Sequence, residues 1–240
     1  MRKSILKLAA VSVAMSALAV SAPAFAQEEA AEAEGPLTLT GGVAVVSDYR
    51  FRGVSLSDKD FAVQPYLTLT HESGIYGGVW ASNVAENSGD DLEIDLYAGF
   101  AGGDAVTYDI GATYYVYPGV SSFNYVEFTG KLGTTVGPAT IGGQVSYVPS
   151  QDNTGNNDNI YVASNLAIGI PNTPVTLTGS VGLEDGAFSV SGSKLDWSLG
   201  ATAAVYGFTL GVAYVDTDRR STFAFKDSSA GVVFSVSYGF

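Results

Sequence analysis

From Ala230 to the C-terminus the chain alternates: Ala230, Val232, Phe234, Val236, Tyr238 and Phe240 share one face, and Gly231, Val233, Ser235, Ser237 and Gly239 the other. A period of two puts successive side chains on opposite faces of an extended chain, so the segment predicts a β-strand and not a helix. The same rhythm recurs upstream. Leu195, Trp197, Leu199, Ala201, Ala203 and Val205 oppose Asp196, Ser198, Gly200, Thr202 and Ala204, while Leu92, Ile94, Leu96, Ala98 and Phe100 oppose Glu93, Asp95, Tyr97 and Gly99. One face suits lipid and the other water. Followed through the chain, the pattern predicts strands starting near Leu37, Phe61, Ile75, Asp91, Val106, Phe123, Ala139, Asn159, Pro174, Leu195, Tyr206 and Ser229. Most would run about 10 to 13 residues, the length of a tilted membrane strand and beyond the five or so of a soluble one.

The connections alternate between tight and long. Short turns are expected at 71–74, 102–104, 134–138, 171–174 and 205–207; longer polar segments at 52–60, 85–90, 118–122, 149–158, 185–194 and 216–228. Short turns on one side and long loops on the other belong to an all-β, transmembrane, antiparallel up-and-down β-barrel of about twelve strands, with both chain ends on the periplasmic side. A soluble β-sandwich or periplasmic barrel also alternates, but it requires neither long strands nor ordered loop lengths.

Ahead of the barrel, Met1, Arg2 and Lys3 precede an apolar stretch from Ile5 to Val20, and Ala24-Phe25-Ala26 ends it with small residues. This predicts a secretory signal peptide over residues 1–26, cleaved after about Ala26, then an acidic flexible lead-in at 27–36 and the barrel at 37–240. Removing Arg2, Lys3 and Lys7 with the signal takes the formal net charge from −13 to −16. Such a balance argues against nucleic acid as a partner. There is no cysteine, so neither a disulfide framework nor a thiolate zinc site can form.

The alternation places Asp48, Arg50, Arg52, Gln64, Glu93, Asp95, Asp109, Glu127, Lys131, Glu184 and Asp196 on the water-facing side. These are the candidate pore-lining residues. Charges in a lumen either set ion selectivity or fill the lumen by pairing, for example Arg50 or Arg52 with Glu93 or Asp95. Twelve strands lie between barrels filled by side chains and barrels that hold an aqueous channel, so both outcomes stay open. An open lumen with seven carboxylates against Arg50, Arg52 and Lys131 would weakly favour cations. Tyr76, Trp80, Tyr114, Tyr147, Trp197, Tyr206, Tyr214 and Tyr238 read as interfacial girdles, and only Tyr66, Tyr97, Tyr115 and Tyr161 read as inward-facing.

Ser47-Asp48-Tyr49-Arg50-Phe51-Arg52-Gly53-Val54-Ser55 and, further on, Gly74-Ile75-Tyr76-Gly77-Gly78-Val79-Trp80-Ala81-Ser82-Asn83 carry a family resemblance. This stretch resembles the TorF-type porins, conserved hypothetical outer-membrane proteins of the Gcw_chp type, whose pattern reads SDYRFRG and GxYGGVWASN; here Leu56 stands where that pattern carries Gln. The resemblance implies the cell outer membrane and a porin, without naming a solute. The terminal Phe240 likewise resembles the aromatic end residue that barrel-assembly machinery recognises.

Catalysis finds little support. The single histidine, His71, falls in a short turn away from the outer rim where a barrel phospholipase would need it. One histidine without cysteine makes no ordinary zinc site, so neither a metal nor another cofactor is expected. The 151–159 loop is rich in oxygen ligands for calcium, but Asn, Asp and Gly favour turns for local reasons. Arg219-Arg220 could meet lipopolysaccharide phosphates or simply be solvated. The expected partners are therefore outer-membrane lipid, lipopolysaccharide, the assembly machinery and small hydrophilic solutes. Two functions remain: a passive porin-like channel, or a non-conducting barrel that displays its loops.

Overall fold

Twelve strands pair in sequence order until the last meets the first, so no backbone edge is left unpaired. The structure is a computed structural model that describes residues 35–87, 90–189, 192–218 and 228–240. The predicted signal peptide, most of the lead-in and Arg219-Arg220 lie outside those residues.

The wall consists of β1 (Leu37–Val46), β4 (Ala62–His71), β5 (Ile75–Asn87), β6 (Asp90–Gly102), β7 (Val106–Val116), β8 (Tyr125–Val136), β9 (Ala139–Val148), β10 (Asn159–Gly169), β11 (Val175–Gly186), β12 (Lys194–Val205), β13 (Phe208–Thr217) and β14 (Gly231–Gly239). Two further two-residue strands, β2 (Arg50–Phe51) and β3 (Val54–Ser55), form a small hairpin of their own. β1 closes the barrel by pairing antiparallel with both β4 and β14. Past the last strand, Gly41 and Phe240 exchange two backbone hydrogen bonds of 2.9 Å.

All twelve predicted starts fall within two residues of a wall strand. The largest offsets have local causes: Phe123 ends a short 3-10 turn, and Tyr206-Gly207 is a two-residue hairpin loop with positive φ at both positions. The expected 85–90 loop is instead strand almost throughout, because β5 and β6 extend to Asn87 and Asp90.

Outward positions form a continuous apolar belt in which Ile110, Phe234 and Leu199 are among the most exposed side chains. Inward positions hold the buried polar and charged residues. In a soluble protein this arrangement would be inside out; in a bilayer each face meets the medium it suits. The barrel end carrying Phe240 has the short turns, and residues 47–61 belong to the opposite end.

Candidate functional site

At Val46, which pairs with Ala62, the chain leaves the wall, and it returns after fifteen intervening residues. The segment between them folds into the barrel and fills one half of the lumen. Tyr49, Arg50, Phe51, Arg52, Val54, Ser55, Leu56 and Ser57 are all buried. Its centre is the β2/β3 hairpin, where Phe51 pairs with Val54 across Arg52-Gly53, with φ of 48° and 83°. Two consecutive residues with positive φ make the tight loop that matches strand twist, a role usually given to Asn-Gly or Asp-Gly. Gly53 is required twice. A Cβ there would stand 2.7 Å from Thr217 Cβ and 3.0 Å from Asp196 Cβ, so the hairpin tip rests directly on β12 and β13.

The left-handed turn aims the Arg52 side chain across the lumen. Its Nη2 donates to Glu127 of β8 at 2.5 Å and its Nη1 to Glu184 of β11 at 2.7 Å. Lys194 of β12 closes the group, with its ammonium 2.7 Å from Glu184 and donating at 2.9 Å to the Arg52 carbonyl. The guanidinium also lies over the rings of Phe51 and Tyr161, 4.6 and 4.2 Å from their centroids. A charge withdrawn this far from water needs both partners and hydrogen bonds to be tolerated, and both Nη atoms of Arg52 have them, while its buried Nε has none.

Arg50 serves the segment itself. Its Nε donates to Asp48 at 2.6 Å and its Nη1 to the carbonyls of Gly53 and Ser229. Asp48 also accepts from Ser55 at 2.6 Å. Gly231 leaves the room that Arg50 uses, since a Cβ there would meet Nη2 at 2.8 Å. On the far wall Tyr49 packs against Trp80 and donates to Glu93 at 2.9 Å, while Tyr117 donates to the other Glu93 oxygen at 2.8 Å. Burial, and next to it the Glu93 charge, pushes both phenols up, which keeps them as donors at neutral pH.

The other half of the lumen, toward the chain termini, is lined by small and polar groups. Gly111, Thr129, Gly133, Gly142, Gln144, Ser180, Ser198, Gly211 and Ser235 face inward and are half-buried. Asp109 accepts from Tyr76 at 2.6 Å and lies 3.9 Å from Lys131. Where this half meets the plug, a cavity of about 30 Å³ lies beside Tyr97, Tyr115 and Glu127, with room for a water or two.

All eleven candidate residues thus face the interior, but not all in the expected way. Asp48, Arg50 and Arg52 belong to the infolded segment and not to the wall, because the chain has left the sheet before they occur. The predicted pairing of Arg50 or Arg52 with Glu93 or Asp95 is replaced: Arg50 binds Asp48, and Arg52 reaches Glu127 and Glu184 because its turn points it to the opposite wall. Gln64 donates to Ser82 at 3.4 Å, and Asp196 accepts from Tyr161 at 3.2 Å. Tyr76 and Trp80, read as girdle residues, are buried inside, on the same face of β5 as Ser82. Sequence reasoning missed Tyr49, Gly53 and Lys194. Lys194 could have been found, since it shares the face of Asp196 two residues on. In the 151–159 loop, Asp152–Thr154 form a 3-10 turn, and Asn153 donates to the Asn124 carbonyl at 2.5 Å.

The sequence profile described as "Bacterial protein of unknown function (Gcw_chp)" matches residues 30–238. No curated protein sequence matches the chain. Among solved structures, the NanC porin in its rhombohedral crystal form superposes with a TM-score of 0.55 at 10% identity, over 83% of this chain and 98% of that one. The KdgM porin gives 0.51 at 9% identity, over 85% and 99%. KdgM in complex with disordered oligogalacturonate gives 0.52, also at 9% identity and over 85% and 99%. At such identities the likeness is one of fold.

Proposed function

The chain belongs to the Gcw_chp family of bacterial proteins of unknown function, and on that premise we propose that it is a porin-like channel of the outer membrane for small hydrophilic solutes, obstructed in this state by residues 47–61. One observation carries the reading: an inward-facing surface rich in Gly, Ser, Thr and charged residues runs the length of a closed barrel and is blocked, among the described residues, chiefly by one short segment. The blocking contacts are ion pairs, hydrogen bonds and aromatic packing, with isolated backbone bonds to the wall at Ser47–Phe234 and Leu56–Ala85 in place of a strand ladder, so the obstruction can move while the barrel stays closed.

The likeness of the 47–84 stretch to TorF-type porins supports the same reading, as do the porin folds above. Signal cleavage after Ala26, a periplasmic location for the termini, and recognition of Phe240 by assembly machinery belong with it. So does contact of the apolar belt with lipid and of the opposite rim with lipopolysaccharide. The seat of the plug holds Glu93, Asp95, Glu127, Glu184 and Asp196 against Arg52 and Lys194, which favours cations over anions once water enters. No enzymatic activity is proposed: His71 lies at the terminus end, its Nδ1 2.8 Å from Ser73 Oγ in the same turn. A second reading, a non-conducting barrel that displays its loops, is favoured by how completely the plug is buried.

Single-channel recording on the reconstituted folded barrel separates the two. Discrete conductance steps, rare in the wild type and frequent once the Arg52 contacts are removed, support the channel. Silence in both, with folding verified by heat-modifiable migration, overturns it.

A further inference from the structure

Two buried carboxylates under the plug lack the counter-charge that the other wall provides. Glu93 and Asp95 stand two residues apart on the inner face of β6, 1% and 2% exposed. Neither takes part in an ion pair among the described residues. Glu93 is satisfied by the phenols of Tyr49 and Tyr117, whereas Asp95 Oδ1 has no hydrogen-bond partner.

Among the described residues the surroundings supply no free cation. β5 places Trp80 opposite Asp95 and Ser82 opposite Glu93, both uncharged. β7 and the loop after it contribute Tyr115 and Tyr117; β8 contributes Tyr125 and a third carboxylate, Glu127. β6 itself adds Tyr97 on the same face and, at its outer end, the acidic residues Asp90 and Asp91, the latter exposed; none of these is a base. Arg52 of the plug is already committed to Glu127 and Glu184. From the plug side the pair meets Tyr49, which packs on Trp80 with ring centroids 5.4 Å apart and so covers this corner.

We propose that the Glu93–Asp95 pair makes seating of the 47–61 plug proton-linked: the plug stays down while the pair holds a proton and lifts when both carboxylates ionise. The inference rests on the channel reading above and adds its regulation. With the plug seated, two like charges would be held out of bulk solvent, 1% and 2% exposed, with no ion-pair partner among the described residues, a costly arrangement. With the plug lifted, water reaches both and the ionised forms are solvated. The lifted state therefore binds fewer protons, and raising the pH favours it. For one proton released per opening, the ratio of open to closed changes up to about tenfold per pH unit over the range where the pair titrates.

Two readouts test this on the folded full barrel. In bilayers the wild-type open probability is expected to climb between about pH 5 and 8 with up to that tenfold slope, and Glu93→Gln and Asp95→Asn to stay low and flat, because a neutral amide imitates the protonated acid. Independently of conduction, Trp197→Phe leaves Trp80 as the sole tryptophan; acrylamide quenching of Trp80 should rise with pH, and the rise should vanish with Glu93→Gln added. A wild type without a pH response in both readouts, or variants that keep the wild-type slope, overturns the proposal. If Arg52→Ala never conducts while Trp80 quenching still follows pH, the channel reading fails and proton-linked seating stands.

Discussion

Arg52 Nη1 and Glu184 Oε1 lie 2.7 Å apart although 132 residues separate them in the chain, and both side chains are 1% exposed. A contact of this kind costs far more to break from one side than it contributes when whole. Arg52→Ala leaves Glu127 buried without its cation and Glu184 with Lys194 alone, a loss on the order of 3–5 kcal/mol for plug seating. Bilayer recordings are expected to show the variant open most of the time. Arg52→Lys should fall between, because one ammonium cannot bridge two carboxylates as the guanidinium fork does.

In that opened variant the wall keeps Glu93, Asp95, Glu127, Glu184 and Asp196, and the lumen loses the plug's cation. The reversal potential under a salt gradient is expected to lie toward the cation side and to shrink as ionic strength rises. A value on the anion side would contradict the charge inventory of the lumen.

Gly53→Ala puts a Cβ against Thr217 and Asp196 in a backbone with φ of 83°. Crowding and left-handed strain together should weaken seating by about 1–3 kcal/mol. Hydrogen exchange of the 47–61 amides would then speed up while the wall amides stay protected.

Leu199, at the middle of β12 and 70% exposed, probes the outer surface. Leu199→Arg should destabilise the barrel in lipid by about 2–4 kcal/mol, read from the shift in urea midpoint, with Leu199→Phe close to neutral. In a water-soluble barrel an arginine at so exposed a site would change little.

Deleting Phe240 removes the two hydrogen bonds to Gly41 that extend the closing seam. Spontaneous refolding into detergent should lose little, since each such bond is worth about 1 kcal/mol. Assembly by the cellular machinery should fall severalfold if the terminal ring is what it reads, and Phe240→Tyr should restore it.

The wall was legible because a barrel strand meets lipid on one side and water on the other, which writes a period of two into the residues; hence Leu37, Ile75, Val106, Ala139 and Asn159 mark strand starts in both readings. The plug was not legible by the same means. Val46, Asp48, Arg50 and Arg52 continue the inward alternation of β1 unbroken, so periodicity extends the strand past the point where the chain turns away. What breaks the pattern is Arg52-Gly53, a turn pair whose first member is an unusual choice for positive φ. Partner choice was beyond the sequence altogether, since the distance from Arg52 to Glu127 and Glu184 depends on barrel closure and not on spacing along the chain.

Both ends of the plug leave the rim from residues that face each other, Val46 and Ala62. The stretch between them is a cassette: it can be shortened or exchanged at two adjacent points without shifting the register of any strand. Most of what decides passage is then carried by fifteen consecutive residues, while the wall only has to keep matching charges on β6, β8, β11 and β12. Relatives sharing this wall could acquire new permeability by rewriting one short exon-like block, with no need to redesign the barrel around it.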